Sequence, residues 1–292
     1  MSYPLEGRDL KSITDEELVD TWHASKRQAS NRGSFDDDCL HVVQITSTAI
    51  MKMNMSVEAE IVNMEEVLKK SSVPVPRLYR SGSARQLEYI ITEYIDGERL
   101  DRIGWETRTE RERQHIKAEI KKAFISLSNI RGTVPGPVKN IAQGRLFSVY
   151  GAHTKFSTVR ELEELLTAKL FGKGSLIGAF DQLVMCHMDL NMRNLIFDKN
   201  NRLFFLDWAD SGYYPPESQE ALLLHDIQLT HPDSAWEQDL LEVHRELYGS
   251  GNEEVVAKLI RVIQNNNGPR GASHLVNDKQ SAGEPTFVPR KS

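Results

Sequence analysis

A group of polar residues in the second half of the chain has the spacing of a phosphoryl-transfer site. Asp189 and Asn194 lie five residues apart in the segment His187-Met-Asp-Leu-Asn-Met-Arg-Asn194, and Asp207 follows two short apolar runs. Mg²⁺ binds a few hard oxygen ligands together with water and substrate phosphates. Asn194 and Asp207 are therefore candidate magnesium ligands, while Asp189 could orient an attacking hydroxyl and accept its proton.

The two apolar runs between Asn194 and Asp207 predict a β-hairpin, because they flank the polar turn Asp198-Lys-Asn-Asn-Arg202. If Phe197 pairs with Leu203, Asn194 lies diagonal to Asp207 across the two strands. The polar side chains would then be about 5 to 8 Å apart. One divalent cation could bridge that gap.

A lysine on a predicted strand precedes an acidic helix in the first part of the chain. Lys52 lies at the end of the β-prone run 49–53, and the helix predicted over 57–70 carries Glu58 and Glu60. A lone strand lysine is usually solvated. The acidic helix that follows makes this lysine a candidate functional residue.

The periodicity of apolar residues predicts an α+β chain, with a mostly β N-terminal part and a helical C-terminal part. Strands are predicted at 40–45, 49–53, 77–81, 87–95 and in the hairpin after Asn194, and helices at 14–27, 57–70, 108–131, 157–171, 217–230, 234–248 and 252–265. Asp96-Gly97 is expected to turn the chain out of the first sheet. The segment 132–156 is too long for an ordinary connector, which favours a functional loop.

Composition excludes several classes of protein. The chain has 292 residues, of which 39% are hydrophobic, enough for a normal core. Its formal net charge of −6 argues against a nucleic-acid-binding surface, and no apolar run is long enough to span a bilayer. Cys39 and Cys186 cannot form a disulfide framework, so both are expected to be buried thiols. We expect a cytoplasmic protein, and the sequence indicates no oligomeric state.

The segment from His187 to Asn194, followed by the hairpin and Phe205-Leu-Asp-Trp-Ala-Asp-Ser-Gly-Tyr-Tyr-Pro215, resembles the aminoglycoside phosphotransferase and choline kinase-like family. Lys52 and the segments 73–79 and 91–97 fall where that family has its strand lysine, its post-helix segment and its hinge. The resemblance spans roughly residues 40 to 215. It implies a two-lobed protein-kinase-like fold, with a small β-rich N-lobe and a larger helical C-lobe.

The resemblance also implies the activity and the role of each candidate residue. The γ-phosphate of ATP would pass, with Mg²⁺, to a hydroxyl of a small organic acceptor, either an amine-bearing metabolite or an aminoglycoside-like molecule. The implied roles are Asp189 as catalytic base, Asn194 and Asp207 as metal ligands, Lys52 on the phosphates with Glu60 or its competitor Glu58, and Glu93 to Ile95 at the adenine edge. His187 would support the loop.

By this resemblance the chain divides into three parts. Residues 1–97 form an N-terminal helix and a β-rich nucleotide-binding lobe, and residues 98–264 form the helical lobe with the catalytic loop and metal site. Residues 265–292 are polar and are predicted to be a disordered tail.

Three departures from the family pattern concern the same site. Met188 replaces a usual Gly and Met192 a common Pro, and both are expected to reshape the substrate side of the loop. No Gly-rich phosphate loop is obvious, since Gly33-Ser-Phe35 and the acidic run 36–38 are the only candidates before the first strand. A catalytically weak or inactive kinase-like binding protein is therefore an alternative.

A second alternative is a metal phosphohydrolase built on His225 and Asp226, with His231, His187 or His153 as further ligands. We instead interpret His225 as a surface or helix-end residue. Glu163-Glu164 and Glu253-Glu254 are predicted to be solvated helix faces. Trp208, Tyr213 and Tyr214 could line a substrate pocket or pack in the core.

Overall fold

The structure is a computed structural model that describes residues 3–31, 41–54, 56–138, 140–148, 151–152, 154–230, 232–250 and 252–267. The N-terminal part contains α1 (Asp15–Asn31), β1 (Val42–Thr46), β2 (Ala49–Asn54), α2 (Glu58–Lys70), β3 (Leu78–Ala84) and β4 (Leu87–Glu93). The four strands form an antiparallel sheet in the order β1-β2-β4-β3. A small β-rich lobe was predicted for this part of the chain, and that prediction is confirmed.

Strand β2 lies inside this sheet, where it pairs with both β1 and β4. Its residues alternate between buried and partly exposed, as expected for a strand with one face on a core. Met51 and Met53 face the core shared with α1, while Lys52 lies on the opposite face. The alternation therefore directs Lys52 toward the cleft.

The C-terminal part is mainly helical, and its described residues form six short strands. Its elements are β5 (Gly97–Arg99), α3 (Glu110–Ser128), β6 (Arg131–Gly132), α4 (Val159–Ala168), β7 (Leu183–Cys186), β8 (Leu195–Asp198), β9 (Leu203–Phe205), β10 (Gly212–Tyr214), α5 (Pro216–His225), α6 (Ala235–Tyr248) and α7 (Glu253–Asn267). The helix predicted over 217–230 changes to a π-helical turn at Asp226–Thr230. β7 lies between β10 and β6 in a second small sheet.

The predicted hairpin is formed by β8 and β9, and Phe197 pairs with Leu203 as expected. Strand β5 adds to its other side, where Gly97 pairs with Asp198. The chain leaves the first sheet before Gly97, as expected, but the sequence did not predict that Gly97 begins a new strand. Because β5 pairs with β8, the chain leaving the first sheet attaches at once to the β8–β9 hairpin.

The described residues form three apolar cores under these elements. One packs α1 against the first sheet, and another packs α4, α5 and α7 together. The third joins α2 and α3 to the β8–β9 hairpin and to β4, and it includes Val67, Phe124 and Phe205. Trp208 and Tyr214 are fully buried, so these two aromatic residues are core residues.

Two smaller expectations need correction. Glu163 is 4% exposed and accepts a hydrogen bond from the amide of Phe180, so it does not belong to a solvated face. Asn265 and Asn266 belong to α7, so the predicted tail starts within a helix, and its part beyond residue 267 lies outside the described residues. Among the helices of the described segments, none has the length and apolar character needed to cross a membrane.

Candidate active site

A cavity of about 470 Å³ lies between the N-terminal sheet and the β8–β9 hairpin. All seven residues predicted to form the site line it: Lys52, Glu60, Glu93, Ile95, Asp189, Asn194 and Asp207. Apolar side chains, among them Ile50 and Ile196, line it on the sheet side and on the hairpin side. The fold therefore brings residues from five separate segments to one cavity.

His187 fixes the start of the loop that leads to Asn194. It is 1% exposed, and its Nε2 lies 2.9 Å from the carbonyl oxygen of Leu206, the residue before Asp207. The hydroxyl of Ser211 donates to the carbonyl of His187 at 2.9 Å. Burial lowers the pKa of His187, which favours a neutral ring that supports the loop.

Asp189 and Asn194 are connected directly. The side-chain amide of Asn194 donates to the Asp189 carboxylate at 3.0 Å and to the Asp189 backbone carbonyl at 2.9 Å. Both donors of that amide group thus serve Asp189, and the amide oxygen remains for another partner. The Leu206 amide donates to the carbonyl of Asn194 at 2.8 Å, which holds Asn194 beside Asp207.

Lys52 bridges two carboxylates across the cavity. Its Nζ lies 2.9 Å from Glu60 Oε2 and 2.7 Å from Asp207 Oδ1. Burial alone would lower the pKa of Lys52, but the charges of Glu60 and Asp207 raise it above its ordinary value. Burial likewise opposes ionisation of Asp207, yet Lys52 lowers its pKa below the ordinary value. Lys52 and Asp207 are therefore charged at neutral pH.

Glu60 and Glu58 have different positions on α2. Glu60 is 6% exposed and reaches Lys52, whereas Glu58 is exposed and accepts a hydrogen bond from the side chain of Asn140 at 3.1 Å. The geometry therefore selects Glu60 as the partner of the lysine.

The predicted hinge leads from β4 to β5. The Glu93 amide donates to the carbonyl of Arg77 at 2.9 Å, and the Tyr94 amide donates to the carbonyl of Thr48 at 2.8 Å. These bonds fix the backbone from Glu93 to Ile95 at the edge of the cavity.

Met188 does not reach the substrate side of the loop, contrary to expectation. Its side chain is 4% exposed and packs in the core of α4, α5 and α7, and its amide donates to Gln219 Oε1 at 2.9 Å. Its φ of +66° lies in the left-handed region, which explains why a glycine suits this position. Met192 is also partly buried, against the core of the hairpin.

The long segment 132–156 contributes a charge pair near the catalytic loop. Arg145 forms a two-pronged ion pair with Asp226 at the end of α5. Asp210 lies beside Gly144, whose φ is +90° and where an added Cβ would be 2.5 Å from Asp210 Oδ2. Burial, and then the charges of Asp189 and Asp207, raise the pKa of Asp210 to about 7.

Sequence reasoning did not identify Arg145, Gln219 or Asn63. Arg145 lies in a segment that was predicted to be functional by its length alone, and Gln219 lies on a buried face of α5. Asn63 comes three residues after Glu60 and is fully buried. A polar residue on the same helix face as Glu60 was the available signal.

The structure gives no support to a histidine metal centre. The ring of His225 lies at the end of α5, and Asp226 is held by Arg145. Across the described segments, no group of three or more His, Cys, Asp or Glu residues could hold a metal ion. His153, His231 and the candidate phosphate loop at 33–38 lie outside the described residues.

Solved structures with a similar fold include two small-molecule kinases. A thermostable mutant of aminoglycoside phosphotransferase APH(4)-Ia, in a ternary complex with AMP-PNP and hygromycin B, is 14% identical with a TM-score of 0.53, over 88% of this chain and 92% of that chain. Choline kinase LicA from Streptococcus pneumoniae is 16% identical with a TM-score of 0.50, over 90% of this chain and 93% of that chain. The predicted two-lobed kinase-like fold is confirmed.

A search of curated proteins found no significant match. The family model of the phosphotransferase enzyme family, APH, matches residues 56–249, a span that includes Glu60, the catalytic loop and Asp207. That span is more than half of the chain. The chain therefore belongs to the phosphotransferase enzyme family.

Proposed function

We propose that this protein transfers the γ-phosphate of ATP to a hydroxyl of a small organic acceptor, with Asp189 as the catalytic base. The observation that supports the proposal best is the meeting of Asp189, Asn194, Asp207 and the Lys52–Glu60 pair in one cavity. Phosphoryl transfer needs little more from a protein than positioning and charge neutralisation.

In this proposal the nucleotide occupies the cavity between the sheet and the hairpin. The adenine ring packs between Ile50 and Ile196, and its edge meets the backbone from Glu93 to Ile95. Lys52 binds the α- and β-phosphates, and Glu60 holds it in place. The similar fold of a phosphotransferase bound to AMP-PNP supports this placement.

The side chains of Asn194 and Asp207 fit a magnesium site. The amide group of Asn194 is turned toward Asp189, so its oxygen is available as a ligand. Asp207 is ionised, is 40% exposed and offers carboxylate oxygens to the cavity. An amide oxygen and a carboxylate, completed by phosphates and water, suit Mg²⁺. When bound, the ion would neutralise charge on the phosphate oxygens.

Asp189 would act on the acceptor. Its carboxylate orients the hydroxyl and takes its proton as the hydroxyl oxygen bonds to the γ-phosphorus. The bond from that phosphorus to the bridging oxygen of ADP breaks, and ADP leaves. Asn194 keeps the carboxylate in position through its two hydrogen bonds.

We infer that the acceptor carries an amine. Asp210 lies close enough to Asp189 and Asp207 for their charges to raise its pKa, so three acidic side chains lie together at the loop, with Arg145 near them. A cationic group would be attracted there. Similar folds are those of proteins named as an aminoglycoside phosphotransferase and a choline kinase.

The proposal is tested with the full chain, ATP and Mg²⁺ against aminoglycosides, choline, ethanolamine and neutral hydroxylated metabolites. We expect phosphate transfer to at least one amine-bearing acceptor. Asp189→Asn should lower kcat by about 10³-fold, because a general base contributes roughly 10² to 10⁴, while the nucleotide-induced thermal shift persists. Asp233→Asn, at an exposed position, is the matched control. Absence of both turnover and a nucleotide-induced shift in the wild-type protein would refute the proposal.

A further inference from the structure

Helix α2 carries Glu60 and packs between the N-terminal sheet and the C-terminal lobe. Met64 and Val67 belong to a core that combines side chains of α3, of the β8–β9 hairpin and of strand β4. Hydrogen bonds reinforce the attachment to the C-terminal lobe at both ends of the helix. Glu58 meets Asn140 near the start, and Lys70 lies 3.4 Å from the hydroxyl of Tyr213 near the end.

Asn63 makes the central contact of this attachment. Its Nδ2 donates to the backbone carbonyls of Trp208 at 2.9 Å and Ser211 at 2.7 Å. Its Oδ1 lies 3.4 Å from the amide of Val138, which belongs to the long segment before α4. The side chain has no exposed surface, and its amide group uses both donors and an acceptor.

The two carbonyls belong to the turn that follows Asp207. Asp207 has a φ of +58°, a conformation that a residue with a side chain rarely adopts and that needs support from its surroundings. Asn63 binds the backbone of the next residue, Trp208, and of Ser211, which in turn donates to the carbonyl of His187. The conformation of Asp207 and the position of the catalytic loop thus depend on the same side chain.

Asn63 and Glu60 are three residues apart and therefore share one face of α2. Glu60 binds Lys52, and Lys52 also binds Asp207. Helix α2 therefore acts on Asp207 in two ways: Asn63 fixes the turn that follows Asp207, and Glu60 fixes the lysine that pairs with it. A movement of α2 would displace both the turn and the lysine.

We propose that Asn63 is a positioning residue for phosphoryl transfer, which holds α2 and the Asp207 turn together so that the Lys52–Glu60 pair and the metal ligand are placed before nucleotide binds. The inference rests on the proposed function, since it assigns Asp207 to the metal site. Asn63 acts through Asp207 and Lys52 and touches neither substrate.

The test is Asn63→Leu, which keeps a similar volume and removes the three hydrogen bonds. We expect kcat/KM for ATP to fall about tenfold and the Mg²⁺ concentration for half-maximal activity to rise about threefold or more, because a small displacement of a metal ligand is costly. KM for the acceptor should change less than the Mg²⁺ requirement. Activity is normalised to folded protein from thermal unfolding.

The matched control is Asn265→Leu, since the Asn265 side chain also donates to a backbone carbonyl, that of Lys169 at 2.8 Å, and neither residue lines the cavity. If Asn63→Leu does not fold, Tyr213→Phe weakens the attachment of α2 at its other end and should raise the Mg²⁺ requirement in the same direction. Equal losses of kcat/KM in Asn63→Leu and Asn265→Leu, or an unchanged Mg²⁺ requirement in both Asn63→Leu and Tyr213→Phe, would overturn the inference.

Wild-type binding separates this inference from the proposed function. If the wild-type protein binds no ATP in the presence of Mg²⁺, the proposed function fails. If it binds ATP but no acceptor is turned over, the Mg²⁺ dependence of ATP binding is compared between wild type and Asn63→Leu. An identical dependence in the two proteins would contradict the positioning role of Asn63.

Discussion

Lys52 lies between the carboxylates of Glu60 and Asp207 and pairs with both. Glu60 is the more buried of the two, while Asp207 is 40% exposed and faces the cavity. A buried lysine that lost both partners would keep its charge only at a cost of several kcal/mol. In the proposed function, Asp207 turns toward a metal ion while Glu60 keeps the lysine paired. The Lys52–Glu60 pair therefore has a structural role as well as a proposed role in nucleotide binding.

Exchanging Glu58 and Glu60 of α2, one at a time, for glutamine tests whether Glu60 is the functional partner of Lys52. Glu60→Gln should lower kcat/KM for ATP by roughly 10- to 100-fold, since Lys52 would lose its permanent partner and turn toward Asp207. Glu58→Gln makes the same chemical change at an exposed position and should stay within about twofold of wild type. Steady-state kinetics with varied ATP provide the measurement. A larger loss in Glu58→Gln than in Glu60→Gln would contradict the assignment.

For single residues, the sequence predicted which polar side chains meet in the site, but not all of the residues that hold them in place. The hairpin pattern was sufficient to place Asn194 beside Asp207, because strand pairing has a fixed register. Met188 was misjudged because its left-handed φ, which turns its side chain into the core, has no signature in a methionine. The contacts of Asn63 are tertiary, with carbonyls about 145 residues away in the chain, so no local pattern contains them.

Strand β5 is the element that joins the predicted hinge to the β8–β9 hairpin. Gly97 and Arg99 pair with β8, and Ile196 of β8 lines the cavity between the sheet and the hairpin. An added Cβ at Gly97 would lie 2.0 Å from the carbonyl oxygen of Phe197, which is backbone and cannot move aside. Glycine is required here by the close approach of two strands. Three-residue strands such as β5 exist only through their tertiary partners, so the sequence pattern missed it.

Gly97→Ala should therefore separate β5 from β8 and displace the hinge from the hairpin. We expect a loss of roughly 1 to 3 kcal/mol in the free energy of unfolding, together with weaker ATP binding, because Ile95 lies two residues away in the cavity wall. Thermal unfolding and nucleotide titration measure the two effects. Gly104→Ala is the control, since its Cβ would meet no atom closer than 3.8 Å. Equal stability and ATP affinity in Gly97→Ala and Gly104→Ala would disprove the close-approach argument.

At the scale of the whole molecule, the three cores do not coincide with the two lobes. The core under the β8–β9 hairpin extends through α2 to Ile90 of β4, so it includes residues of both lobes. The alternation of strands and helices predicted the small lobe correctly. It could not assign α2 to a core, because an amphipathic helix does not indicate which surface it packs on.

The packing of α3 on α6 within this core buries a titratable ring, and it makes the stability of the protein depend on pH. His244 is 2% exposed, and its ring packs edge-on against Phe124 and beside Tyr248. Burial, and then the charge of Arg245, lower the pKa of His244 to about 4, from an ordinary value near 6.5. The unfolded chain therefore takes up this proton at a higher pH than the folded protein.

It follows that the folded state is favoured above pH 6.5 and loses stability as the pH falls from 6.5 toward 4, by on the order of 3 kcal/mol from this group. His244→Phe keeps an aromatic ring in the core but cannot bind a proton, so its free energy of unfolding should fall less than that of wild type over this range. Denaturant unfolding at pH 7.5, 6, 5 and 4 measures the difference between the two proteins. His187 is buried in both proteins, so its contribution to the pH dependence is the same in each and cancels in the difference. Parallel pH profiles would show that His244 takes up its proton equally in the folded and unfolded states, and that its burial does not determine the acid sensitivity of the fold.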